Sequence, residues 1–229
     1  MEDGTIVAPS QPPGQTFTAQ EPALPAWLPK ALLVIARITI GYLFFSQLFW
    51  KPPPSFHCAP DYHFTTANPN GSLNRTSGLC DWIGIESVWA TRPHSILRTD
   101  ELHIGVPIGW TSRLNGVFLD NVVKPNIRWF GYLIWGSEAF IFVSLFFGLF
   151  GRLGGLVAIG ISAQLVVGLA GISDPNEWEW GYNLIFLLSV LLFAFSPGRI
   201  FGLDALLRPR LRAAAANGNG VARFLLLLT

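Results

Sequence analysis

The strongest constraint on this chain is a set of apolar stretches, each about the length an α-helix needs to cross ~30 Å of hydrocarbon at about 1.5 Å per residue. The first runs from about Leu28 to Trp50 and contains only Lys30 at its mouth and Arg37 inside. The second, from about Ile127 to Phe150, has Arg128 at its edge and Glu138 within, and the third, Leu153 to Gly171, has no ionisable side chain. A fourth, slightly shorter and also uncharged, runs from Trp180 to Pro197, where Pro197-Gly198 ends it. Helices buried in a soluble bundle would show a polar stripe, and these stretches show none. The expected fold is therefore an all-α integral membrane protein: a four-transmembrane-helix bundle with spans of about 28–50, 127–150, 153–171 and 180–197. Composition agrees, since 51% of the 229 residues are hydrophobic and only 13% charged, which excludes a disordered chain and an ordinary soluble domain. A net charge of +1 leaves no bulk attraction for nucleic acid.

Basic residues near the span ends set the expected orientation. After the fourth stretch come Arg199, Arg208, Arg210, Arg212 and Arg223 against Asp204 alone, and the turn between the second and third carries Arg152. The turn between the third and fourth has Asp174, Glu177 and Glu179 with no Lys or Arg. Both termini are then cytoplasmic, and residues 51–126 form a long extracytoplasmic insertion between the first two helices. Trp50, Trp129, Trp178 and Trp180 fall at the outer boundary, where an indole can bury its ring and keep its N–H wet. Residues 1–27 make a Pro-rich cytoplasmic tail with no apolar h-region, so the first span directs insertion. Residues 208–229 form a basic and apolar tail whose ending, ARFLLLLT, is too short to span and suits a partner or the membrane surface.

The insertion holds all four His (His57, His63, His94, His103) and both Cys. In an oxidising compartment Cys58 and Cys80 are expected to form a disulfide, worth roughly 3 kcal/mol in the chain-entropy model. A metal site is the weaker alternative, because no C-x-x-C or H-x-x-x-H spacing is present. Gly109 to Leu119 reads as an amphipathic helix on the outer surface, feeding the second span.

An ionisable side chain inside a span is costly and marks a functional candidate. Arg37 lies roughly 13 Å from the inner end of the first span and Glu138 roughly 18 Å from the same end of its antiparallel neighbour, at about 1.5 Å per residue. The two are expected to pair, either to fix helix register or to line a polar pocket for a quinone head group. Gly160, Gln164, Gly168 and Gly171 share one face of the third span, which serves close packing and adds one hydrogen-bonding amide to such a pocket. Lys51, Arg113, Lys124 and Arg128 flank the outer mouth, where they would anchor lipid head groups or bind an anion.

Several ordered motifs resemble the DoxX-like proteins. They are Arg37-Ile38-Thr39-Ile40-Gly41-Tyr42-Leu43-Phe44-Phe45 followed by Lys51, the Glu138 helix continuing into Gly148-Leu149-Phe150-Gly151-Arg152-Leu153, and Trp178-Glu179-Trp180 with Tyr182-Asn183. The closing Gly198-Arg199-Ile200-Phe201-Gly202-Leu203-Asp204 completes the set. With Gly109-Trp110-Thr111 and Phe118-Leu119 the chain looks most like the DoxD branch, the membrane subunit of thiosulfate:quinone oxidoreductase, over about residues 28–207. That resemblance implies a four-helix membrane domain and electron transfer from thiosulfate to quinone, with Arg37 and Glu138 at motif positions. Quinone is the implied cofactor, since the chain has no C-x-x-C-H haem motif, four-Cys cluster pattern or G-x-G-x-x-G. The lipid bilayer and other membrane redox subunits, met through the tails and the external loop, are the expected partners. The alternative is a non-catalytic subunit of a larger respiratory or photosynthetic complex.

Overall fold

The computed structural model of the protein describes residues 25–92, 95–99, 104–170, 172 and 179–229. Helix α1, Trp27–Trp50, contains the first apolar stretch. Three elements fold outside the helical bundle: the two-residue strands β1 (Thr66–Ala67) and β2 (Leu73–Asn74), and helix α2 (Gly78–Trp89). Strands β3 (Ser95–Thr99) and β4 (Ile104–Pro107) follow, then α3 (Gly109–Phe118). A π-turn at Leu119–Val123 and a 3-10 turn at Lys124–Asn126 carry α3 without a break into α4, Ile127–Phe147. The remaining helices are α5 (Gly151–Leu169), α6 (Glu179–Phe195), α7 (Leu203–Ala216) and α8 (Gly220–Leu228).

Three helices are long and apolar enough to cross a membrane: Trp27–Trp50, the continuous Gly109–Phe147, and Gly151–Leu169. The fourth apolar stretch is also helical, but its Gly181–Phe195 portion is shorter. Large apolar side chains such as Ile35, Tyr42, Leu133, Leu156 and Leu184 stay exposed along these helices, as a lipid-facing surface requires. Helix α6 stops where the Pro-Gly pair predicts. Ser196 turns left-handed at φ 43° and Pro197–Arg199 make a 3-10 turn.

Small residues let the helices approach backbone to backbone. A Cβ on Gly41 of α1 would lie 2.8 Å from the Phe146 nitrogen of α4, and one on Gly155 of α5 would lie 2.9 Å from the Phe193 nitrogen of α6. On the expected small face of α5, Gly160 has open space around it while Gly168 is buried against Glu86; Gly154, Gly155 and Ala158 pack on the neighbouring helices. Ile40, Phe44, Ile141, Leu145, Ala158 and Leu192 fill the core between α1, α4, α5 and α6.

The inner end is closed by Asp204, which is fully buried. Its Oδ1 accepts the Phe150 N–H at 2.8 Å and its Oδ2 the Gly151 N–H at 2.8 Å, capping the first turn of α5 with a carboxylate. The Asp204 N–H in turn donates to the Gly148 carbonyl at 2.8 Å. Gly148, at φ 68°, sits where a side chain would collide with the Arg37 guanidinium. Asp204 thus ties the start of α7 to the turn between α4 and α5. Helix α7 also runs through the tail boundary expected at residue 207, so the basic tail begins inside a helix.

The external segment is not wholly helical. β1 pairs with β2 and β3 with β4, each as an antiparallel hairpin, where an all-α chain was expected. The β-branched content of Ser95–Pro107 favours strands over helix. Cys58 and Cys80 form the expected disulfide, with a sequence separation of 22. Around it Phe56, Leu79, Ile83, Leu119, Val123 and Ile127 make a second core that joins this cap to the outer end of α4. The expectations for residues 1–24, His94, His103, Gly171, Asp174, Glu177, Trp178 and the side chains of Glu179 and Trp180 lie outside the described residues.

Gly155→Val pushes a methyl-bearing side chain into the α6 backbone. It should cost about 1–3 kcal/mol by overpacking, read as a lowered thermal midpoint in detergent. Replacing both cysteines by Ser should cost roughly 3 kcal/mol, the loop-closure value for a separation of this size, and leave helical content unchanged by circular dichroism.

Candidate functional site

A cavity of about 560 Å³ lies between the outer half of the bundle and the cap. Helices α1 (Phe44, Trp50), α4 (Phe130, Ile134), α5 (Ile161, Leu165) and α6 (Ile185) give it apolar walls. From the cap, α2 contributes Leu79, Trp82, Ile83 and Glu86. These four stand at i, i+3, i+4 and i+7, so they occupy one helix face. The opposite side of α2 is held by Gly84 against the Thr65 backbone and by the disulfide at Cys80.

Gln47, Ser137, Gln164 and Tyr182 add polar atoms to the lining, and two carboxylate groups stand out. The first is the ion pair of Lys51 and Glu138, Nζ to Oε1 at 2.8 Å, with both side chains buried. Lys51 follows the last residue of α1 and also stands 5.2 Å from the Trp50 ring centroid. Glu138 Oε2 has no hydrogen-bond partner. The second is Glu86, also buried, whose Oε1 accepts the Trp82 indole N–H at 2.7 Å. Its Oε2 accepts from the Gln164 amide and from Asn115 at 3.5 Å. Gly168, one turn on from Gln164, leaves the room that the Glu86 carboxylate occupies. Trp82 stacks edge-on with Trp50 at 5.4 Å and with Tyr182 at 6.0 Å, so aromatic rings line the space between the two polar groups.

The expected Arg37 to Glu138 pair does not form. Gly41 of α1 packs at Phe146, so Arg37, one turn earlier, falls level with Gly148 at the inner end of α4. Glu138 lies eight residues up α4 from Phe146, about 12 Å at about 1.5 Å per residue. There it meets the outer end of α1, where the Trp135 indole N–H also donates to the Leu48 carbonyl at 3.2 Å. The depth estimate failed because α1 begins about ten residues beyond the inner end of α4, so the two inner boundaries do not coincide. Arg37 is buried at the inner end, away from the cavity, with Asp204 as the carboxylate in electrostatic reach. Its Nε and Nη1 have no hydrogen-bond partner among the described residues.

The four outer cations are placed separately. Lys51 is committed to Glu138, while Lys124 bonds Asp120 at 2.7 Å and the Ser87 hydroxyl at 2.7 Å. Arg128 lies 5.0 Å from the Tyr62 ring centroid, and Arg113 is exposed on α3. No two of them share a partner in the described contacts. Cys58 is consumed by the disulfide and His63 bonds Asp61 at 2.7 Å; among the described residues no three His, Cys, Asp or Glu side chains gather as metal ligands.

The residue missed in sequence is Glu86. The apolar stripe of Leu79, Trp82 and Ile83 ending on a lone carboxylate three residues later was the available signal. Gln164 was expected in a polar pocket and does line this one. The sequence matches no protein-family model, and comparison with curated proteins and with solved structures finds no match.

Lys51→Met alone strands the Glu138 charge and should destabilise by about 3–5 kcal/mol, whereas Lys51→Met with Glu138→Leu should recover most of that loss. Thermal unfolding of the two variants in the same detergent measures the difference.

Proposed function

We propose that this chain is a DoxD-like membrane subunit of a quinone-linked redox complex, a candidate thiosulfate:quinone oxidoreductase component. In this reading it crosses the bilayer four times with both termini cytoplasmic and residues 51–126 outside. The observation that carries the reading is the cavity. It falls within the size range of small-molecule sites and combines apolar walls with a few convergent polar groups. A quinone would suit it, since α4, α5 and α6 offer apolar walls for a tail and Trp50 and Trp82 would offer aromatic surface to a ring. A quinone supplies two-electron, two-proton chemistry when bound. The chain's own part would be to hold the ring and to present the Lys51 ammonium, held in place by Glu138, as a donor to a ring oxygen in a largely apolar site. The catalytic reading of Glu138 stays with the cavity, while Arg37 serves the inner end.

A second reading is an accessory subunit in a larger membrane assembly. It is favoured by α8, where Val221, Phe224 and Leu227 are exposed on a short helix after the bundle.

Trp50 and Trp82 line the cavity, so a short-chain quinone should quench tryptophan fluorescence saturably, and Glu138→Ala should weaken that binding at least tenfold. Anaerobic membranes should then reduce the quinone on addition of thiosulfate, with the rate lost in Glu138→Gln. Binding without turnover, together with co-purified redox subunits, would assign the accessory role.

A further inference from the structure

We propose that helices α7 and α8 form a docking surface for anionic phospholipid at the inner end of the bundle. This surface is separate from the cavity and from whatever the cavity binds. The Arg37 guanidinium of α1 packs on Gly148 and on Gly202, the residue before α7, and α1 also touches the Pro197–Arg199 turn. Residues 27–36 of α1 continue past that level for about 15 Å, at about 1.5 Å per residue. Trp27, Leu32 and Ile35 are exposed along this portion. It belongs to a helix apolar enough to cross a membrane, so the turn that launches α7 stands beside lipid-facing surface.

Helices α7 and α8, of 14 and 9 residues, are too short to span but carry both parts of an interfacial surface. Leu203 and Leu206 of α7 and Val221, Phe224 and Leu227 of α8 are exposed. Beside them the charge is almost all positive, since Asp204 is the single acidic residue between 181 and 229. Both of its oxygens are spent on the Phe150 and Gly151 N–H groups. Burial and then the neighbouring Arg208 and Arg152 hold the Arg199 guanidinium below its ordinary value, and burial and Arg212 do the same to Arg208. Four guanidiniums thus crowd one another. Arg199 Nη2 and Arg208 Nη1 both donate to the Thr229 backbone oxygen, at 2.6 and 3.0 Å, which ties the end of α8 to α7 and fixes the face it presents. Arg210, Arg212 and Arg223 remain exposed. Such crowding is relieved by an anion, and a guanidinium fork matches phosphate. Free phosphate answers the cations and leaves the apolar row in water. A phospholipid answers both, with its phosphate on the arginines and its acyl chains against the leucines and Phe224.

The test uses the full chain with Phe224→Cys labelled with nitrobenzoxadiazole, which reacts at one place because both native cysteines are held in the disulfide. It is reconstituted in phosphatidylcholine vesicles that contain, at equal mole fraction, either phosphatidylcholine or phosphatidylglycerol with a nitroxide near the glycerol end of one acyl chain. Both lipids should quench the label. Phosphatidylglycerol should be enriched around it at least about fivefold over its bulk fraction, the factor that about 1 kcal/mol from one guanidinium near an anionic surface supplies. Arg210→Gln combined with Arg212→Gln removes two exposed cations and should lower the enrichment at least about twofold, while added inorganic phosphate should leave it in place. The comparison of the two lipids needs no arginine variant, so its outcome stands whether or not the double variant folds. Equal quenching by the two lipids overturns the anionic preference. Loss of the enrichment on adding inorganic phosphate marks a free-anion site and overturns the lipid assignment. Absence of quenching by either lipid puts the Phe224 face in water or on a protein partner and overturns the docking surface itself.

Discussion

The contact between Gly41 and the backbone of Phe146 sets the register of the whole outer site. Because α1 and α4 touch there, the outer end of α1 stops partway along α4, and the rest of α4 continues up into the cap. The stagger places Lys51 beside Glu138, brings Trp135 to the Leu48 carbonyl, and leaves room above α1 for the cap to seat. A charge that would be unaffordable in the middle of an apolar helix is thereby matched by a cation from the end of the neighbouring one.

The cap completes what the bundle leaves open. Its α2 carries an apolar stripe of which Leu79 and Ile83 pack into the cap's own core, and the stripe also lines the cavity. Tight contacts on the other side, at Gly84 and Cys80, decide which face of α2 is presented. Ser87 bonds Asp120 at 2.6 Å, and Lys124 bonds both, which fastens α2 to the π-turn that precedes α4. The external segment and the second apolar helix therefore act as one body.

Much of this was legible in the residues, and the reasons for the misses are physical. The four apolar stretches became helices within a few residues of their expected limits, since length and the lack of charge leave few other states. The Cys58 to Cys80 bond was legible for a similar reason, because two cysteines in one external segment leave one pairing. The Arg37 partner was not, because linear depth measures each helix from its own end and says nothing of the offset between two helices. Packing of Gly41 fixes that offset, and no one-helix pattern contains it. Glu86 escaped because its short helix lies in an insertion between the long apolar stretches, where a 12-residue stripe stands out little.

Asp204 has a consequence for the order of assembly. The two backbone N–H groups at the start of α5 receive their carboxylate from a residue 54 and 53 positions later in the chain. During synthesis that helix end therefore lacks its carboxylate until α6 and the turn after it have been made. The bundle is latched from its trailing side, by a residue that emerges from the ribosome only after α1, α4, α5 and α6 have been produced.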